Sequence, residues 1–384
     1  FERVDGYLFV PPKNSKNILD KEIEAIARAG VEVHKLSKAP FAKFNTGTCL
    51  HFPNQAQFHI RKYLKGLVDA IIDKGGHIFG HTRVTDFEDG SPCVVTTESG
   101  ANVIAKSVIV ATNTPINNRF IIHTKQSPYR TYVIGAPIQK GAIEKALYWD
   151  TADPYHYIRI YEDSSKLWVI VGGEDHKTGQ DFHFEEKYEQ LEQWARKRLD
   201  MGKIAYRWSG QVFEPIDCLG FIGKNPHSQN TYIVTGDSGN GMTHGTIAGL
   251  LIPDLILGKS NPWKELYEPS RKTFSAAKEF IKEIANVAWQ YRDWLTPGEN
   301  REIDSLVSEE GIIVREGFKK LAIYKDKDNQ IHINSAFCPH LGACVRWNSS
   351  EKCWDCPCHG SQFNGEGKVQ CGPSCSHLKP YDNK

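Results

Sequence analysis

Near the C-terminus the chain reads Cys338-Pro339-His340-Leu341-Gly342, and fifteen residues separate His340 from the next such stretch, Cys356-Pro357-Cys358-His359-Gly360-Ser361. As a pattern this is C-x-H followed by C-x-x-H. Each short loop offers one thiol and one imidazole. Two loops of this kind can hold one metal ion or a two-iron cluster, because thiolates suit ferric iron while neutral imidazoles add no charge and raise the potential of the iron they bind. Of the 10 cysteines in 384 residues, those at 338, 344, 353, 356, 358, 371 and 375 crowd into one end. A disulfide scaffold would spread them through a small secreted domain. Their clustering points instead to a metal site in a discrete C-terminal module.

The two boxes closely resemble the Rieske iron–sulfur family, over roughly residues 300–384. The resemblance implies a small all-β domain with a [2Fe–2S] cluster, Cys338 and Cys356 on one iron, His340 and His359 on the other. Gly372-Pro373-Ser374 is similar to the proline loop that covers the cluster in that family. There are two departures. The high-potential members join their cluster loops by a disulfide; Cys358 matches its second cysteine, but Ala343 stands at the first position and Cys344 follows one residue later. Phe363 replaces the tyrosine of the highest-potential members, which removes one hydrogen bond near the cluster, while Ser361 keeps its own. Hydrogen bonds to the sulfurs raise the potential, so a value below the top of the Rieske range is expected. The rival assignment is a zinc cage of Cys353, Cys356, Cys371 and Cys375, which leaves the paired boxes unexplained.

Working outward, the length suggests more than one domain. Apolar residues make up 40% and charged residues 24%, which suits a globular core. Lys and Arg number 47 against 46 Asp and Glu, a net charge of +1, so no electrostatic case exists for a nucleic-acid or anionic-membrane partner. The longest apolar stretch, 246–257, is broken by Pro253 and Asp254 and is too short to span a bilayer. A cytoplasmic location is expected. Helical spacing marks 17–29, 59–73, 185–199, 243–257 (kinked or shortened by Pro253) and 270–294. Strands are expected near 77–84, 92–97 and 103–111, the last carrying an apolar run typical of a strand buried on both faces. Residues 119–175 are strand-rich, with further strands near 205–214 and 231–235. Thr296-Pro297-Gly298 is the best domain boundary.

The second chemical signal is Thr231-Tyr232-Ile233-Val234-Thr235-Gly236-Asp237-Ser238-Gly239-Asn240-Gly241-Met242, a strand running into a glycine-rich turn and a helix start. Glycines let backbone amides approach a ligand closely, and a helix N-terminus favours negative charge there. Alone, the turn is equally a structural one, and His244 stands where G-x-G-x-x-G would end. Two features strengthen it. Ser107-Val108-Ile109-Val110-Ala111-Thr112-Asn113 is a strand ending in small polar residues, as at the carboxyl edge of a nucleotide-binding sheet. Trp208-Ser209-Gly210-Gln211, Glu214-Pro215-Ile216-Asp217 and Gly220-Phe221-Ile222-Gly223 precede the turn closely.

Together these resemble the D-amino-acid-oxidase-like FAD-dependent oxidoreductases, in the form fused to a C-terminal Rieske domain, over nearly all of residues 1–295. The resemblance implies an α/β (α+β) fold, FAD contacts at Ala111, Thr112, Asp237, Gly239, Asn240, Gly241 and Met242, and an adenine near Val84. FAD-binding parts are expected at about 51–115 and 205–260, a substrate sheet at about 1–50 and 119–204, and the Rieske domain at 296–384. The chain opens on Phe1, already strand-like, and lacks the strand–G-x-G-x-x-G–helix that cradles the pyrophosphate in that family. The fold is therefore expected to be incomplete at its N-terminus and to hold FAD weakly.

In that family the substrate lies between the flavin and an antiparallel sheet, and the stretch 149–161 is the expected wall. Alternation puts Tyr155, Tyr157 and Arg159 on one face and His156 on the other. Tyr155, His156 and Arg159 are the catalytic candidates: Arg159 could clamp a carboxylate bidentately, and a tyrosine could orient an amine. The alternative is packing aromatics, an ion-paired arginine and a satisfied histidine. The expected activity is oxidation of a small molecule, an amine or amino acid, at FAD, with single electrons leaving through the cluster to an external acceptor. A cluster that feeds the flavin, or that serves as a redox sensor, is the alternative. The protein is expected to be reddish-brown and to give, once reduced, the anisotropic EPR signal of a Rieske centre. A colourless protein holding one zinc overturns the assignment, and stoichiometric flavin in the purified chain overturns the expectation of weak FAD binding.

Overall fold

The computed structural model describes residues 1–11, 17–116, 122–163, 165–271, 277–294, 296–298 and 303–381. In chain order the elements are β1 (Glu2–Phe9), α1 (Asn17–Ala29), β2 (His34–Leu36), β3 (Cys49–Gln57), α2 (Ile60–Asp73), β4 (Val84–Glu88), β5 (Cys93–Thr97), β6 (Asn102–Ala105) and β7 (Val108–Val110). Next come β8 (Gln126–Ile138), β9 (Leu147–Asp150), β10 (Tyr157–Glu162), β11 (Leu167–Lys177), α3 (Phe184–Arg196), β12 (Tyr206–Pro215), β13 (Phe221–Lys224), β14 (Thr231–Thr235), α4 (Gly241–Ile256), α5 (Lys264–Tyr267) and α6 (Ala277–Gln290). Beyond Gly298 the structure is almost all strand and loop: β15 (Glu310–Glu316), β16 (Lys319–Lys325), β17 (Ile331–Ser335), β18 (Arg346–Asn348), β19 (Cys353–Asp355), β20 (Gln362–Asn364) and β21 (Val369–Cys371).

Two compact units result. Residues 1–78, 131–176 and 183–210 form the first, and residues 79–130, 177–182 and 211–384 the second. The first is built on a sheet of order β12-β8-β11-β10-β9-β1-β3-β2. Its core side follows from strand alternation: Ile158 and Ile160 of β10 and Val169 and Val171 of β11 are buried. They pack with Phe184, Tyr188, Leu191 and Ala195 of α3, which recur at helical spacing and make one stripe. Leu19 and Ile26 of α1 meet Leu8 and Leu50 in a separate cluster. The helix expected at 59–73 is α2, and its apolar stripe is present, but none of its residues is buried.

In the second unit, β13, β14 and β7 form a small sheet in which β14 runs parallel to β7. His244, Ala248, Leu251 and Ile252 of α4 are its buried face, and the last three pack with Ile222 and Tyr232. The Rieske region contributes two antiparallel sheets, β15-β16-β17 and β18-β19-β20-β21, around a core centred on Trp354, Phe363 and Ala336. Residues on both sides of Thr296-Pro297-Gly298 fall in this same unit. Hydrogen bonds across the sequence bind them: Arg83 donates to Val369 O at 2.7 Å, Gln211 to Gly360 O at 2.8 Å and Arg346 to Gly179 O at 2.9 Å.

Four local expectations change. The strand expected from 77 begins only at Val84, and Ile78 and Phe79 before it are exposed. β7 is not buried on both faces: among the described residues it pairs with β14 alone, and Ile109 is 48% exposed. An apolar run implies double burial only where layers cover both faces. Helix α4 starts at Gly241 and runs through Pro253 to Ile256. So near the end, proline removes only one ladder bond. The helix expected over 270–294 is α6 plus a 3₁₀ turn at Tyr291–Trp294, and 272–276 lie outside the described residues.

Candidate functional site

The two boxes fold into paired loops. Gly342 N donates to Cys338 O and Cys338 N to Ala343 O, both at 2.8 Å. The second loop repeats this with Gly360 N to Cys356 O at 3.1 Å and Cys356 N to Ser361 O at 2.8 Å. Gly360 has φ of 75°, and a Cβ there would come within 2.7 Å of Pro128, so this turn needs glycine twice over. The loops bring Cys338 to Cys356 and His340 to His359. The two thiols are buried and hydrogen-bonded to each other, which pushes Cys338 well above the ordinary thiol range and Cys356 well below it. The His340 amide and the Ser361 hydroxyl also donate to the Cys338 sulfur, and the Cys358 amide to Cys356. The His340 and His359 rings lie 5.1 Å apart, nearly perpendicular. Burial holds the His359 imidazole below its usual value, in the neutral form a metal ligand needs.

A thiol pair beside an imidazole pair is the donor set of a two-iron cluster. Among the described residues no three His, Cys, Asp or Glu side chains gather as for a single metal ion. The alternative zinc set is dispersed: Cys353 Sγ lies 3.6 Å from Asp355, Cys375 Sγ 3.6 Å from Ile116 O, and Cys356 sits with Cys338. All ten cysteines are free, so Cys344 and Cys358 form no disulfide. Phe363 is fully buried, and Ser361 Oγ also accepts from Ser374 N at 3.0 Å, tying the proline loop to the cluster loop.

The residues expected to contact FAD meet at one strand edge. Parallel pairing of Thr231 with Val108 and of Ile233 with Val110 brings the ends of β7 and β14 to the same side. Thr235 Oγ1 then donates to Asn113 O at 2.6 Å, joining the loop of Ala111 and Thr112 to the turn of Asp237, Gly239, Asn240, Gly241 and Met242. Ala111, Thr112, Asn240, Gly241 and Met242 are exposed along this edge. Asp237 Oδ1 is buried without a hydrogen-bond partner, and burial raises the Asp237 carboxyl above its usual value. An open edge with an orphaned acceptor and the free amides of a helix start suits a polar cofactor such as FAD. Val84 belongs to another sheet, β4-β5-β6, where it pairs with Thr97.

The substrate candidates lie on the first unit. His156 is buried, stacked 4.3 Å from Trp194 and bonded through both ring nitrogens to Asp150 and Glu174, each at 3.1 Å. Tyr155 is 42% exposed. Tyr157 and Arg159 share the opposite face of β10. Tyr157 lies across Gly172, where a Cβ would come within 2.2 Å of its ring. Burial pushes the Tyr157 phenol up to about 12, and burial lowers Arg159, whose Nε has no hydrogen-bond partner among the described residues. Sequence reasoning missed His123, a buried ring beside His340 and His359 that no spacing signalled.

Losing the Ser361 hydroxyl removes one donor to a cluster thiolate. Ser361→Ala is expected to lower the cluster potential by about 60 mV, the equivalent of ~1.4 kcal/mol for one electron, in a dye-mediated redox titration. An unchanged potential refutes that hydrogen bond.

Residues 1–255 match the FAD dependent oxidoreductase (DAO) family and residues 298–382 the Rieske [2Fe-2S] domain. The protein YhfW of Bacillus subtilis (strain 168), whose name assigns it a Rieske 2Fe-2S centre, is 30% identical over 383 residues, covering 98% of this chain and 74% of YhfW. The cytochrome b6-f complex iron-sulfur subunit of Microcystis aeruginosa is 50% identical over 68 residues, 16% of this chain and 38% of that subunit. In fold, the chain is similar to glycine oxidase from Geobacillus kaustophilus, with a TM-score of 0.60 at 16% identity over 70% of this chain and 75% of the oxidase. L-proline dehydrogenase from P. horikoshii follows at 0.57 and 17%, over 70% and 76%. No described helix is long and apolar enough to cross a membrane. The chain belongs to the FAD dependent oxidoreductase family and carries a C-terminal Rieske [2Fe-2S] domain.

Proposed function

We propose that the protein oxidises a small amine or amino acid and passes the electrons singly to an external acceptor. The observation that carries this is the packing of the Rieske region and the flavin edge into one unit: Cys375 Sγ meets Ile116 O, and a Cβ on Gly372 of the proline loop would touch Ile116 and Thr114. When bound, FAD supplies two-electron oxidation and the cluster one-electron transfer. Ala111, Thr112 and 237–242 are the residues that would hold the flavin; Cys338, Cys356, His340 and His359 would hold the cluster.

The chain's own part in the oxidation is to bind, orient and exclude water. Arg159 is the candidate carboxylate clamp. A half-buried guanidinium with an unbonded Nε is costly until an anion pairs with it, and its planar fork fits a carboxylate. Tyr157 beside it stays a neutral phenol and can donate. His156, held by Asp150 and Glu174, orders the opposite face of the strand.

In stopped-flow mixing with a panel of amines and amino acids, flavin absorbance should bleach before the cluster. Cluster reduction that precedes flavin bleaching reverses the direction. Arg159→Met should raise KM at least tenfold for carboxylate-bearing substrates, ~1.4 kcal/mol, with a smaller change in kcat. Equal KM changes for amines with and without a carboxylate would remove the clamp.

A further inference from the structure

One buried side chain outside the two boxes reaches both imidazoles from the flavin edge. His123 is 3% exposed. Its ring lies 5.0 Å from that of His340 at 77°, and 5.9 Å from that of His359 at 61°. The two ligand rings are themselves 5.1 Å apart, so the three imidazoles close a triangle. On its other side His123 is held by Thr114, whose hydroxyl is 3.3 Å from Nδ1. Thr114 is fully buried and closes the turn after β7: its amide donates to Thr112 O, and its carbonyl accepts from Thr112 Oγ1, both at 2.7 Å. One side chain thus joins the turn at Thr112, on the flavin edge, to both cluster imidazoles.

We propose that His123 is a positioning residue for the cluster: it orients the His340 and His359 rings and couples them to the 112–114 turn. An iron-bound imidazole is oriented, and its basicity set, by what its non-ligating edge meets. A phenyl ring could fill the same volume. An imidazole also offers the two perpendicular rings a polar edge, and its dipole helps solvate the negative charge that one-electron reduction adds to a buried cluster. Thr114 supplies the constraint that keeps this edge turned toward the ligands. The inference rests on His340 and His359 being the cluster's imidazole ligands.

The test uses the full chain loaded with its cluster and reduced with dithionite. Wild type should show the Rieske EPR signature; its absence overturns both the ligand assignment and this inference. In His123→Phe, iron and sulfide content should match wild type, the EPR g values should shift, and the equilibrium constant for cluster reduction should fall about tenfold, about 59 mV for one electron. His123→Gln should recover part of that loss, because an amide restores a polar group that packing alone does not require. Thr114→Val keeps the ring but releases it, and should move the potential in the same direction by less. If His123→Phe loads no cluster, His123→Gln and Thr114→Val decide. Wild-type g values and potential in a loaded His123→Phe, or in those two variants when it fails to load, overturn the inference while leaving the ligand assignment standing.

Discussion

A buried pair of thiols, Cys338 and Cys356, governs the C-terminal region of this protein. Two sulfurs in an apolar core share hydrogen bonds but cannot both ionise without a counter-charge. A bound metal would supply that charge, and Cys338 and Cys356 are the sulfurs that would meet it. The loop turns direct the His340 and Cys358 amides at the sulfurs, and the Ser361 hydroxyl joins them. Trp354 and Phe363 pack behind. The His340 and His359 rings stand together, nearly perpendicular, so the pair of loops offers two thiols and two imidazoles.

The same constraint explains why the cluster region does not stand as a unit of its own. Loops tight enough to bury thiols expose few backbone donors of their own, and the surrounding chain meets their carbonyls. Gln211 reaches Gly360 O, Gln180 reaches Pro357 O, and Arg346 bonds both Asp293 and Gly179 O. Buried Arg130 faces Asp355 at 3.4 Å, beside Cys353. Such buried pairs add specificity of placement more than net stability. The consequence for function is proximity: the turn after β7 and the proline loop share a contact at Ile116.

Much of this was legible in the linear chain where chemistry is local. C-x-H and C-x-x-H name candidate ligands, because a two- or three-residue spacing already brings thiol and imidazole to one loop. The spacing of Tyr188, Leu191 and Trp194 identifies α3, and the strand–turn–helix at 231–242 is β14 running into α4. Where a neighbour decides the outcome, local pattern was insufficient. Val108-Ile109-Val110 has the composition of a central strand yet lies at an edge. Whether His156 is a base or a satisfied histidine is open in the sequence; in the fold both its ring nitrogens are engaged and it stacks on Trp194.

By itself, then, the order of residues determined the ligand types, the loop spacings and the helical and strand faces, all of which depend on neighbours within a few positions. Only the tertiary structure decided that Arg83 meets Val369 across 286 residues, that Arg159 keeps a buried nitrogen unbonded, and that His123 stands between Thr114 and two cluster imidazoles. The physical reason is that such contacts arise from packing between distant segments. A lone histidine carries no periodicity and no spacing to announce where it will be buried.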